Sequence, residues 1–247
     1  MKTYVTTILL GTASAMALLS SAAIAQSSDT EKSGVAYKPP SEVAYKPPLR
    51  GAPLTRVGGG TRSVGNTLAV NVLAPSDTGL TTQEKPTIYW FASQPIDKPV
   101  ELTITSTESL QAAATPVLEI TLQPPLAKGI HAFRLADHGV TLKPGIEYQW
   151  FVAVVRNPVQ RSNDVLAGGT IKRVADSPVQ AQLKQASPAQ LAALYAEAGI
   201  WYDAIDQLSG QISADQANRQ LRERRAALLE QVGLREAAAF DRSSPGS

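Results

Sequence analysis

The stretch LKPGIEYQWFVAVV, residues 142–155, joins a Pro-Gly turn to an unbroken run of aromatic and β-branched residues. Alternation along it places one set of apolar side chains on a single face, namely Ile146, Tyr148, Trp150, Val152 and Val154. The opposite face begins polar at Glu147 and Gln149 and ends apolar at Val155. The pattern predicts the central strand of a β-domain, with one face of the strand in the core.

The region around this stretch repeats short strand patterns separated by Pro, Gly and Asp turns. Seven strands are predicted, within residues 67–74, 87–92, 100–105, 118–122, 130–135, 146–155 and 169–174. Seven short strands in about 110 residues favour a two-sheet sandwich of the immunoglobulin or fibronectin type. We therefore predict a β-sandwich domain over residues 61–175.

From residue 176 the apolar period changes to that of an α-helix, which predicts a helical region over 176–235. The segment SPAQ, 187–190, has the sequence of a capping box with proline at the first helical position. Gly199 is expected to end this helix, and a second helix with the same apolar spacing begins at Trp201. The two are predicted to form an antiparallel hairpin that resembles a tetratricopeptide helix pair.

Two more helices and a tail complete the predicted α+β fold. A short helix is predicted over 179–185, and one further helix follows a capping box at Ser213 and Gln216. About one and a half tetratricopeptide-like repeats are present, fewer than a free-standing array needs, so the helices should pack on the sandwich, on themselves or on a partner. Residues 236–247 are predicted to be a disordered tail.

The first 25 residues have the pattern of a secretory signal peptide, with Lys2, an apolar run and the sequence Ala23-Ile24-Ala25. Since the apolar run is too short for a membrane span, we expect cleavage near Ala25 and no stable membrane insertion afterwards. The predicted location is periplasmic or secreted. The absence of cysteine excludes a disulfide framework, thiol catalysis and Cys-ligated metal.

Residues 26–60 are predicted to be a linker rich in proline and glycine, in which the hexapeptide VAYKPP occurs twice, at 35–40 and 43–48. Proline pairs favour polyproline II, so we interpret the repeat as a semi-rigid spacer. The alternative is a bivalent docking motif for an envelope partner. The segment RVGGGTR, 56–62, precedes a predicted strand and not a helix, which favours a flexible lead-in over a phosphate loop.

No set of residues in the chain predicts catalysis, a metal site or a cofactor. His131 and His138 are the two histidines, and neither belongs to an HxxxH motif or follows a GxSxG elbow. The charges are scattered and sum to +2, so no basic stripe for nucleic acid is present. The cluster Arg222, Arg224 and Arg225 is interpreted as the solvated face of a helix.

Five blocks of sequence together carry a resemblance to a known family: GGGTR (58–62), LAPSDTGLTTQEKPTIYWF (73–91), YQWFVAVV (148–155), RSNDVLAGGTIKRV (161–174) and LYAEAGIWYDAI (194–205). In this order they resemble the bacterial domain-of-unknown-function (DUF) family 928, a family of uncharacterised exported proteins. The resemblance covers roughly Arg56 to Gly233. It implies the architecture and carries no activity, substrate or site residue.

The candidate binding groove lies at the helix junction and comprises Tyr195, Trp201, Tyr202 and Asp203. A groove between sandwich and helices suits a peptide or a glycan. We therefore predict an exported, non-enzymatic binding or scaffold module of the bacterial cell envelope, with an envelope protein or glycan as its partner. The alternative is a cell-wall glycan or peptide hydrolase that uses Glu197 and Asp203 as paired carboxylates.

Overall fold

The computed structural model describes residues 43–48, 56–57, 67–108, 116–175 and 179–244. These residues contain eight strands: β1 (Val70–Val72), β2 (Gly79–Thr81), β3 (Thr87–Ala92), β4 (Val100–Ser106), β5 (Leu118–Leu122), β6 (Gly129–Arg134), β7 (Glu147–Val154) and β8 (Val165–Arg173). Five helices follow in the described part: α1 (Gln180–Gln185), α2 (Pro188–Glu197), α3 (Trp201–Ala214), α4 (Arg219–Gln231) and α5 (Arg235–Ser243). The predicted α+β class is confirmed.

The strands form two sheets. The smaller sheet is antiparallel and has the order β1-β3-β6. The larger sheet has the order β2-β8-β7-β4-β5, in which β2 pairs with β8 in parallel and the other neighbours are antiparallel. Strand β7 is the middle strand of the larger sheet, so the prediction of a central strand over the opening stretch is confirmed.

The two faces of β7 differ as the alternation predicts. Tyr148, Trp150, Val152 and Val154 are buried, whereas the residues between them are half-buried. The neighbouring strand β8 has two glycines at which side chains lie close to its backbone. A Cβ on Gly168 would lie 2.3 Å from the Phe151 ring, and a Cβ on Gly169 would lie 2.7 Å from Ala74 Cβ. Glycine is therefore required at both positions, because a larger residue would clash with these side chains.

Strand β2 is the one of the eight that the sequence did not predict. It has three residues, which is too short for an apolar alternation to be recognised. Its position depends on distant partners, because it pairs with residues 171–173 of β8, and a Cβ on Gly79 would lie 2.5 Å from the Tyr202 ring.

The predicted helix signals near residue 187 are confirmed. Ser187 and Gln190 form the capping box at the start of α2, with Pro188 in the first turn. Gly199 has a φ of +76°, which favours glycine, and α3 begins two residues later. Helices α2 and α3 contact each other across this glycine, and α3 also contacts β2 and β3. No described helix is long and apolar enough to cross a membrane.

The C-terminal helices differ from the prediction. Ser213 lies inside α3 and caps nothing, so the predicted capping box is wrong. Helix α4 instead begins after Asn218, whose side-chain oxygen accepts a hydrogen bond from Leu221 N at 3.1 Å. Helix α5 covers most of the predicted disordered tail over 236–247. Asp241 in this helix is buried and pairs with Arg225, which lies outside the tail on α4.

Two parts of the predicted linker over 26–60 pack against the domain. Val43 is fully buried, and Arg56 donates to Ala74 O at 2.9 Å and to Val232 O at 3.0 Å, which ties the sandwich to the end of α4. Burial lowers the pKa of the Arg56 guanidinium. The first VAYKPP copy, 35–40, and the segment 58–62 lie outside the described residues.

Candidate functional site

The four residues of the predicted groove meet at the junction of α2 and α3, where all of them are buried. The exposed fractions are 8% for Tyr195, 0% for Trp201, 1% for Tyr202 and 3% for Asp203. Three of them bond to the sandwich, as the contacts below show. The junction is therefore the seam between helices and sandwich.

Trp201 and Tyr202 anchor α3 to the sandwich with their polar atoms satisfied. Trp201 Nε1 donates to Leu73 O at 2.8 Å. Tyr202 Oη donates to Thr170 O at 2.9 Å and accepts from Trp150 Nε1 at 2.9 Å. Burial raises the pKa of the Tyr202 hydroxyl, so it stays a donor. Consecutive helical residues are rotated by about 100°, and the two side chains are covered by different neighbours: Trp201 contacts Leu73 and Tyr45, whereas Tyr202 lies against β8 and β2.

Asp203 holds the segment after β2 against the first turn of α3. Its carboxylate accepts hydrogen bonds from Thr81 Oγ1, Thr82 Oγ1 and, at 3.0 Å, Thr82 N. Burial raises the pKa of Asp203, and these three hydrogen bonds oppose that rise. The carboxylate is engaged by the protein itself and carries a net cost of burial when it is ionised.

The burial of Asp203 predicts a dependence of stability on pH. Its folded pKa is raised above the unfolded value of about 3.9, so the folded state takes up a proton first as the pH falls. We expect the difference in free energy of unfolding between the wild type and Asp203→Asn to shift in favour of the wild type as the pH falls from 7 to 4. Urea unfolding across this range measures it. Asp137→Asn, in an exposed turn, is the control, and parallel curves for wild type and Asp203→Asn would contradict the prediction.

An open cleft of 410 Å³, which we name the β6 cleft, lies between β6 and the helices α3, α4 and α5. It is at the boundary of sandwich and helices, where a groove was expected, but none of the four predicted residues lines it. Its lining consists of Tyr89, Ala127, Lys128, Gly129, Ile130, His131, Ala132, Ser209, Ile212, Ser213, Gln216, Arg222, Arg225 and Phe240. No local sequence pattern marks this set, because its members come from five elements and the loops beside them.

Aromatic side chains form the sandwich wall of the β6 cleft. His131 stacks on Trp90 with ring centroids 4.3 Å apart, and its Nε2 lies 2.8 Å from Ala127 O. Burial lowers the pKa of His131, so the ring is neutral near pH 7 and donates to this carbonyl. Tyr89 Oη donates to Asp206 Oδ1 at 2.7 Å, and burial with that carboxylate raises the pKa of the Tyr89 hydroxyl.

Arg225 is held in place by hydrogen bonds within the helical wall of the β6 cleft. Its guanidinium makes two hydrogen bonds of 2.7 Å to the Asp241 carboxylate and one of 2.9 Å to Ser209 Oγ, and all three residues are buried. The interpretation of Arg225 as part of a solvated face is wrong, because α5 covers it. Arg222 keeps partial exposure and donates to Gln216 O at 2.8 Å.

The lining of the β6 cleft contains basic side chains that have no acidic neighbour within the described lining. Lys128 is exposed, with Nζ 6.0 Å from the centroid of the Phe240 ring. Arg222 lies in the same lining, and the described lining residues include no Asp or Glu. The free charge at this surface is therefore positive, which suits an anionic ligand.

A second cleft of 370 Å³, the α1 cleft, is lined by Thr82, Gln83, Gln180, Leu183, Lys184, Leu191 and Tyr195. Tyr195 is thus the one predicted groove residue that lines either cleft. Glu197 is exposed at the end of α2 and lines neither of them. Glu197 and Asp203 do not share a cleft.

The remaining histidine also has an aromatic neighbour: His138 stacks on Phe133 with ring centroids 4.5 Å apart. Across the described residues, no group of three or more His, Asp or Glu side chains converges as a metal site would require.

Comparison with curated proteins finds no match. A family model matches residues 57–240, a range that includes the sandwich, α1 to α4 and most of α5. The resemblance carried by the five sequence blocks is confirmed, and the match extends beyond Gly233 into α5. The chain belongs to the family described as Domain of Unknown Function (DUF928).

Proposed function

We propose that the protein is an exported, non-enzymatic binding module of the bacterial cell envelope and that it binds a carboxylate-bearing ligand in the β6 cleft. The observation that carries the proposal is an open cleft of 410 Å³ with the cations Lys128 and Arg222 and no carboxylate in its described lining. Binding clefts of this kind combine apolar walls with a few polar groups that orient the ligand.

The lining suits a peptide or a glycan that carries carboxylates. Ser209, Ser213 and Gln216 lie along the helical wall and offer hydrogen-bonding groups. Phe240 offers an apolar ring beside Lys128. Cell-wall fragments combine sugar hydroxyls, amides and carboxylates, and an exported protein meets them in the envelope.

We propose binding without catalysis because the two candidate carboxylates, Glu197 and Asp203, do not share a cleft, and Asp203 is engaged by the protein itself. Asp203 is 3% exposed and accepts three hydrogen bonds from the protein. The alternative of a cell-wall hydrolase requires two carboxylates that flank one substrate, and Glu197 lines neither cleft. A substrate cannot reach the Asp203 carboxylate in this arrangement.

The ligand proposal is tested by isothermal titration calorimetry of the full chain with soluble peptidoglycan fragments. We expect binding that weakens at least about tenfold in the double variant Lys128→Glu, Arg222→Glu, since both cations become repulsive. Arg134→Glu is the matched control, because Arg134 is an exposed cation of β6 outside the cleft lining. No binding by the wild type, or equal binding by all three proteins, would contradict the proposal.

We further propose export to the periplasm or the medium after cleavage near Ala25. The support is the signal-peptide pattern of the first 25 residues. N-terminal sequencing of the mature protein is expected to start at Gln26, and a chain that retains Met1 in the membrane fraction would argue against export.

We also propose that the sandwich is immunoglobulin-like and that α2 and α3 are a tetratricopeptide-like pair. The support for the first is the strand order, since β3 and β6 in one sheet and β8-β7-β4-β5 in the other match strands B and E and strands G-F-C-C′ of that fold. The support for the second is the junction LYAEAGIWYDAI, 194–205, with Gly199 between the helices.

A further inference from the structure

The second VAYKPP copy, residues 43–48, lies against the ends of α2 and α4 and the start of α3. The Gln231 side chain bonds to its backbone twice: Nε2 donates to Val43 O at 2.6 Å, and Oε1 accepts from Tyr45 N at 2.8 Å. A side-chain amide thus pairs with two residues of an extended segment as a neighbouring strand would. We name this surface the VAYKPP groove and define it by Ala196, Gly199, Trp201 and Gln231.

The VAYKPP groove also selects side chains. Val43 is fully buried, and the Tyr45 ring meets Trp201 edge to face with centroids 4.9 Å apart. The Tyr45 hydroxyl is buried without a hydrogen-bond partner among the described residues, so the groove recognises the ring and not the hydroxyl. A Cβ on Gly199 would lie 2.8 Å from Lys46 O, which makes a glycine necessary for this approach.

The backbone at the following position is held as well. Lys46 N donates to Ala196 O at 3.1 Å, at the carboxyl end of α2. The prolines at 47 and 48 have no N–H to satisfy, so the segment leaves the groove without an unpaired donor. These contacts use the side chains of Val43, Tyr45 and Pro48 and the backbone of Lys46.

The first copy, residues 35–40, has the same six residues and therefore offers each group that the groove contacts. We propose that the VAYKPP groove is a recognition site for this hexapeptide and that residues 35–40 of the same chain are its second ligand, so that the two copies exchange in one groove.

The length of the chain permits this exchange at a modest cost. With 43–48 docked, the seven residues 49–55 join the hexapeptide to Arg56, which is held by Ala74 and Val232. With 35–40 docked, the connection is the fifteen residues 41–55. In the loop-closure relation for a polymer chain, lengthening the connection by this ratio lowers the probability of closure about threefold. The second copy therefore holds the groove about three times as often as the first.

A cycle of tyrosine substitutions in the full mature chain tests the exchange by urea unfolding. Removing the ring of the second copy with Tyr45→Ala is expected to lower the folded-to-unfolded ratio only about fourfold, because the first copy enters the groove. Tyr37→Ala is expected to lower it less than about twofold. The double variant loses both ligands, and its folded-to-unfolded ratio should be at least about ten times lower than that of Tyr45→Ala. This loss exceeds the sum of the two single effects, as expected when the two tyrosines are energetically coupled.

Tyr45→Phe in the Tyr37→Ala background is the matched control, and it should behave as Tyr37→Ala alone because the hydroxyl has no partner. The proposal is overturned if Tyr45→Ala fails to fold or falls as far as the double variant, since the first copy then does not replace the second. A double variant as stable as Tyr45→Ala overturns it too. A dimer of Tyr45→Ala in sedimentation, with a midpoint that rises with protein concentration, would place the first copy in another molecule and overturn exchange within one chain.

Discussion

Replacement of Trp201 by alanine is expected to lower the free energy of unfolding of the whole domain by about 3–5 kcal/mol. The side chain is fully buried, contacts Tyr45 and donates to Leu73 O, so its removal leaves a cavity and an unpaired carbonyl at the seam. Because sandwich and helices share this seam, both should unfold in one transition at a lower midpoint. Urea unfolding followed by far-ultraviolet circular dichroism measures the change.

Trp201→Phe is the matched control for this substitution. It retains most of the ring volume and loses the hydrogen bond to Leu73 O, so a smaller loss of about 1 kcal/mol is expected. Unchanged unfolding of Trp201→Ala, together with lost ligand binding, would show that Trp201 contacts a ligand and not the core.

Breaking the buried ion pair of Arg225 and Asp241 is expected to have a comparable effect. Asp241→Asn leaves the Arg225 guanidinium buried without its countercharge, and a loss of about 3–5 kcal/mol in the free energy of unfolding follows. Helix α5 should also become sensitive to protease, because this pair is its buried charged contact with α4, whereas Arg242 pairs with Glu223 and Glu230 of α4 at the surface. Urea unfolding and limited proteolysis measure the two effects.

The double variant Arg225→Met, Asp241→Leu separates charge from packing. Replacing both partners by apolar residues removes the unpaired charge, so its stability should return close to that of the wild type. Glu101→Gln, which breaks the exposed pair with Arg161, should change stability far less. Equal losses in the single and double ion-pair variants would mean that shape, and not charge, determines the effect.

Local patterns predicted those elements whose signals lie within a few residues. The alternation in β7 marks the buried face of the central strand, and the SPAQ capping box marks the start of α2. Gly199 likewise marks a helix end through its positive φ. Each signal lies within a short stretch of sequence: a burial alternation in β7, a capping contact in SPAQ and a glycine conformation at 199.

The errors share a different cause. Strand β2 is defined by its pairing with β8, and α5 by an ion pair with α4. The second VAYKPP copy has a proline-rich composition typical of a spacer, yet Val43 and Tyr45 find an apolar groove more than 150 residues later in the chain. None of these partners lies within the few neighbouring residues from which a local sequence pattern is recognised.

The sequence by itself determined the α+β class, the family, the central strand within 142–155 and the start of α2 after Ser187. Periodicity and capping suffice for these because they report which face of an element is buried. Only the tertiary structure decided that Tyr195, Trp201, Tyr202 and Asp203 form a buried seam, and that other residues line the open β6 cleft. The physical reason is that the sequence pattern of an aromatic residue is the same whether its side chain is buried by another part of the chain or exposed to solvent.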